Sequence, residues 1–83
     1  MDSSSEDPVV AFARRLRKMR LERGLSQEQL ASIAGLDRTY VSSCEAGRRN
    51  ATIRTIHRLS AALQVDPGSL VSERFPAGGN GDP

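Results

Sequence analysis

Four polar side chains, Arg38, Thr39, Ser42 and Ser43, fall in the run Arg38-Thr39-Tyr40-Val41-Ser42-Ser43-Cys44-Glu45. Val41 and Cys44 are its apolar members. At helical spacing these two share an inward face, which leaves the four polar side chains outward. Arginine can donate two parallel N–H bonds to guanine O6 and N7, and threonine can set its methyl against thymine. The serine hydroxyls are short readers that donate or accept. Arg48, Arg49 and Asn50 follow two residues after this run, and their groups suit phosphate oxygens. The sequence holds no nucleophile–base pair, no paired carboxylates and no phosphate-cradling glycine loop, so this is not enzyme chemistry. It is the chemistry of recognition, aimed at the major groove of double-stranded DNA. Arg38 and Thr39 are expected to carry most base discrimination.

Such side chains read DNA only if rigid elements hold them. Ser26-x-x-Gln29 is a capping box, so a helix starts after Ser26 and carries Leu30, Ala31 and Ala34 inward. Gly35 marks a turn too tight for a bulky residue and holds that turn's backbone conformation. Asp37 caps the next helix, and Gly47 stops it. Two short helices hinged on Gly35 make a helix-turn-helix. Upstream, Asp7-Pro8 opens a first helix with Phe12, Leu16 and Met19 at helical spacing, ended by Gly24. Downstream, Thr52 caps a fourth helix carrying Ile53, Ile56, Leu59 and Leu63 inward. Asp66-Pro67 opens a short fifth with Leu70 and Val71. The expected architecture is all-α, with five helices in one DNA-binding and dimerisation domain over residues 8–75. A Ser-rich acidic segment, 1–7, and a Gly/Pro-rich tail, 76–83, are expected to be disordered.

Composition agrees with this reading. Eighty-three residues suffice for one small domain, and only 4% are aromatic, so the core must be aliphatic. The net charge of +2 conceals an asymmetry: residues 8–75 hold all 12 basic residues but only six acidic ones. The folded part is therefore basic and suits an anionic partner. One cysteine excludes an intrachain disulfide and any Cys-rich zinc site, so a reducing cytoplasm is the natural compartment. No run is apolar enough for a membrane span. No metal, cofactor or small-molecule ligand is expected. His57 lacks companion ligands and reads as a surface or interface polar group. Cys44 reads as a small buried apolar residue, with a redox role as the alternative.

The residues Gln27, Ala31, Gly35, Val41 and Glu45 resemble the pattern of the lambda-repressor-like (XRE/Cro) helix-turn-helix regulators, over roughly residues 12–71. The run Leu36 to Ser42, with Glu45, Gly47 and Arg49-Asn50, looks more particularly like the controller proteins of restriction–modification systems. Ala31 faces the third helix, where a larger side chain would push the helices apart. The resemblance implies that Gln27, at the N-terminus of the second helix, contacts a DNA phosphate and braces the recognition helix. It implies a partly buried salt bridge between Arg20 and Glu45. It also suggests that Tyr40 sets its hydroxyl on a phosphate; plain packing of the ring is the other reading.

A single motif buries too little DNA for tight binding, so a homodimer on a palindromic operator is expected. Val65, Leu70, Val71 and Phe75 are the candidate interface. RNA polymerase is a further partner open to a regulator bound upstream of a promoter. A protein-binding module such as an antitoxin is the competing class, but a Gly/Pro-rich tail with almost no apolar residues counts against it.

Overall fold

Each helix begins where a side chain can satisfy its free N–H groups. The computed structural model describes residues 6–72 and contains α1 (Pro8–Glu22), α2 (Gln27–Ala34), α3 (Arg38–Glu45), α4 (Ile53–Leu63) and α5 (Pro67–Val71). Among the described residues there is no strand. The side chains of Asp7, Ser26, Asp37, Thr52 and Asp66 each accept a backbone N–H of the helix that follows. The capping box at α2 is complete: Ser26 Oγ accepts from the Gln29 N–H at 3.0 Å, and Gln29 Oε1 accepts from the Ser26 N–H at 2.8 Å. Most of the two expected end segments, and Phe75, lie outside the described residues. Of the first segment, Glu6 and Asp7 are engaged. Glu6 pairs with Arg14 at 3.1 Å, and that bond holds its carboxyl below the usual carboxylate range.

The helix stops also follow local chemistry. After α2, the Leu36 N–H returns to Ala31 O at 2.8 Å and the Gly35 N–H to Ser32 O at 3.3 Å. This Schellman arrangement needs a left-handed residue, and Gly35 supplies it with φ of +71°. A Cβ built at Gly35 meets nothing within 4 Å. The turn is therefore not crowded, contrary to one part of the expectation; the other part holds, since glycine is required for the backbone angle. The same stop closes α4, but there Gln64 takes φ of +59°.

One core joins all five helices. Leu16, Leu30, Val41, Cys44, Leu59, Leu63 and Leu70 are fully buried, with Phe12, Ala31 and Ala34 nearly so. Burying a leucine side chain contributes about 1.5–3 kcal/mol, which is how so short a chain holds five helices together. α2 and α3 pack on each other, α1 backs α3 and α5, and α4 backs α2 and α5. Ala31, 2% exposed, sits among these core residues.

Two expected positions are corrected. Ile53 does not face inward: it is 76% exposed. The buried stripe of α4 is Thr55, Leu59, Ser60 and Leu63, and Ile53 stands about 120° around the helix from Leu59. Leu70 belongs to the core and has no surface for a second subunit. Thr55 and Ser60 are buried with their hydroxyls satisfied within α4 and its cap, by Thr52 Oγ1 and the His57 carbonyl.

Candidate nucleic-acid interface

The outward face of α3 begins at its cap. Asp37 Oδ1 accepts from the Thr39 N–H at 2.9 Å, which fixes the first turn with Arg38 and Thr39 exposed. Val41 and Cys44 are fully buried and set the rotation of the helix. Ser42 and Ser43 are only half-exposed, so they lie at the margins of the face rather than at its crest. Burial pushes the Cys44 thiol up, the nearby Arg49 charge works the other way, and Glu45 adds to the rise. A neutral, enclosed thiol fits a packing role.

The far end of α3 is anchored by charge. Arg20 Nε donates to Glu45 Oε2 at 2.6 Å and Arg20 Nη2 to Glu45 Oε1 at 2.9 Å. Arg20 Nη1 also donates to the Leu25 carbonyl at 2.7 Å. The pair expected between the first and third helices is thus bidentate, with Arg20 only 8% exposed. The bonds to Glu45 hold the Arg20 guanidinium even more firmly protonated than usual.

Gln27 enters the same network: its Nε2 donates to Glu45 Oε1 at 3.1 Å. Three elements therefore meet on one carboxylate, from α1, from the first residue of α2 and from the last of α3. The capping box uses the N–H groups of Ser26 and Gln29. Those of Gln27 and Glu28, in the first turn of α2, are left for an outside acceptor.

Beyond α3, Arg48, Arg49 and Asn50 are all exposed. The Gly47 N–H bonds to Cys44 O and the Arg48 N–H to Ser43 O, each at 3.1 Å, so the chain doubles back over the end of the helix. Tyr40 is half-buried, and its ring packs against the core cluster. The Arg49 guanidinium carbon lies 4.5 Å from the centroid of that ring. Nothing in the sequence signals this stack, because the two residues are separated by the end of a helix and a turn. The loop also walls a shallow cleft of about 140 Å³, where Arg49, Asn50 and Ala51 face Pro8, Val9, Phe12, Ile56 and Val71. Of the expected dimer residues, Val71 is 52% exposed and Val65 is half-buried.

The helix pair, its glycine turn and its braced second helix coincide with a known pattern. Residues 16–70 match the family described as helix-turn-helix, HTH_3. The chain belongs to this XRE-type helix-turn-helix family. Within the family, it is similar to control protein C.MunI of Mycoplasma sp, 40% identical over 68 residues, which cover 81% of this chain and 92% of the relative. The crystal structure of the restriction-modification controller protein C.AhdI from Aeromonas hydrophila is 47% identical, with a TM-score of 0.73 over 75% of this chain and 94% of that one. The controller protein C.Esp1396I has been solved as a tetramer in complex with its natural 35 base-pair operator. It is 33% identical, with a TM-score of 0.73, and the match covers 80% of this chain and 87% of that one. No helix among the described residues is long and apolar enough to cross a membrane.

Proposed function

We propose that this helix-turn-helix chain is a sequence-specific, DNA-binding transcriptional regulator of the restriction–modification controller type. It acts in the cytoplasm as a dimer on an inverted-repeat operator, and controls its own gene and a linked endonuclease gene. It performs no catalytic step; occupancy of DNA is its whole output. RNA polymerase is the partner on which that occupancy acts, through recruitment or obstruction.

The observation that carries this reading is the exposed first turn of α3. Arg38 and Thr39 project from a helix whose rotation is set by Val41 and Cys44 and whose end is held by Arg20, Gln27 and Glu45. A braced helix presents donors in a set direction, which base readout requires. In this reading Arg38 bonds guanine, Thr39 contacts thymine, and Ser42 and Ser43 add marginal contacts. Gln27, Tyr40, Arg48, Arg49 and Asn50 lie along the sugar-phosphate backbone and set the register. The kinship to controllers, one of them solved on its operator, supports the assignment.

The test is a mobility-shift titration on the DNA upstream of the chain's own gene, against a scrambled duplex. Arg38→Ala is expected to lose about 10- to 100-fold of the preference between the two, the worth of one bidentate base contact. Retention of the full preference would rule Arg38 out as a base reader. An unmodified chain that binds both duplexes equally would sink the regulator reading itself.

A further inference from the structure

α5 ends at the rim of the shallow cleft. Val71, its last residue, lines that cleft, and Ser72 continues in extended backbone with φ of −157° and ψ of 140°. The apolar walls are Pro8, Val9 and Phe12 of α1, Ala51 of the loop after α3, Ile56 of α4 and Val71 itself. Arg49 also borders the cleft, but its guanidinium rests on the Tyr40 ring, 4.5 Å away and not part of the lining. The volume of about 140 Å³ is well below the roughly 300–1,000 Å³ of pockets for small-molecule ligands. It suits one ring, since an apolar cavity of about 150 Å³ takes up a single benzene. Beyond Ser72 the sequence runs Glu73-Arg74-Phe75-Pro76-Ala77 and then turns glycine-rich, so Phe75 is the only large apolar side chain left.

We propose that Phe75 seats its ring in the cleft of its own chain and straps the loop over residues 49–51 to α1 and α4. Phe75 lies four residues beyond Val71, and four extended residues span about 13 Å, ample for a cleft that Val71 itself lines. So short a tether presents the ring at an effective concentration on the order of millimolar, far above that of the same ring on a second copy in dilute solution. This favours the chain's own cleft over the dimer contact expected of Phe75. Seating removes the ring and the facing walls from water together. Arg48, Arg49 and Asn50 are exposed, so packing by the ring adds to the hold that Ala51, packed on the core, gives the loop. The seat does not depend on DNA binding; only its value, a steadier loop against the sugar-phosphate backbone, rests on the function proposed above.

The chain has no tryptophan, so Phe75→Trp in the full chain places a single fluorophore at the seat, and the open side of the cleft accommodates the larger indole. Its emission should lie to the blue of the urea-unfolded chain. It should stay there on dilution through the range in which sedimentation velocity follows dimer into monomer. Adding Val9→Glu puts a carboxylate in the cleft wall from the first turn of α1, where the helix dipole favours it, and should shift the emission to the red. Val71→Asp replaces Val9→Glu if the latter fails to fold. Phe75→Ala should lower the melting temperature by roughly 4–8 °C in the parent and no further in a Val9→Glu background. Amide exchange at Asn50 and Ala51 should quicken in Phe75→Ala. Emission that is red at every concentration, or that stays blue with Val9→Glu, overturns the seat, as do additive losses of melting temperature. Emission that reddens as the dimer dissociates puts the ring on a second copy and overturns the own-chain assignment. Unchanged exchange at Asn50 and Ala51 overturns the strap. None of these readouts involves DNA, so failure of the seat and failure of the regulator reading are told apart.

Discussion

Truncating Glu45 to alanine would leave Arg20 buried with the Leu25 carbonyl as its remaining partner among the bonds described above. A buried charge stripped of its counterion costs about 3–5 kcal/mol. For a domain of this size each kcal/mol moves the melting temperature by roughly 4–8 °C. Glu45→Ala is therefore expected to melt at least 12 °C lower by circular dichroism, about the product of those two lower bounds. A drop below about 4 °C would mean that water screens the pair and that it does little for the fold. The pair was legible only through kinship, because 25 residues separate its partners and residue type alone does not say which arginine meets which glutamate. The outward placement of Arg38 and Thr39 was legible from the residues themselves, since Val41 and Cys44 fixed the inward side of a short helix. Gln27 was half legible. Its place at the head of α2 followed from the capping box, but its bond to Glu45 depends on tertiary packing.

Helix boundaries were legible because caps are local chemistry. Asp7, Ser26 with Gln29, Asp37, Thr52 and Asp66 all accept the N–H groups that their positions in sequence suggested. Stops were legible where glycine makes them and hidden where it does not: Gln64 takes the left-handed angle without any sequence sign of it. It is held there by Arg23, whose Nη1 and Nη2 donate to the Gln64 side chain and carbonyl at 3.0 and 3.2 Å. Ile53 misled because helical spacing alone admits it to the apolar stripe, while the actual stripe of α4 takes in Thr55 and Ser60 instead. Gly35 tests how much the motif's turn depends on backbone angle. Space around it is open, so Gly35→Ala adds no clash and imposes only the left-handed penalty of about 1–2 kcal/mol. Urea denaturation should show that loss with an unchanged slope. A loss above about 4 kcal/mol would instead indicate crowding of the kind first expected.

At the scale of the whole molecule, the described residues extend 36 Å at their longest, about one turn of DNA. In the proposed reading, one copy presents one recognition helix to one half-site, and a half-site about 34–36 Å away needs a second copy. Charge and composition made the single basic domain legible, but which apolar residues remain for a partner emerged only once the core was assembled. Leu70 is spent inside, whereas Ile53 and Val71 stay exposed. Ile53 lies one turn before Ile56, which shares the cleft with Val71, so the two exposed residues flank one apolar surface. A symmetric pairing would bury this surface twice over, since both copies offer the same patch. Replacing Ile53 with aspartate would put a charge at such a contact without touching the core, so the monomer should keep its folding stability within about 0.5 kcal/mol. Sedimentation equilibrium should then show the dimer dissociating at concentrations at least about 10-fold higher, the effect of 1.4 kcal/mol lost at the interface. Operator binding should weaken in step and lose its steep dependence on protein concentration. An Ile53→Asp protein that dimerises as the parent does would move the interface away from the start of α4 and leave Val65 and Val71 to form it.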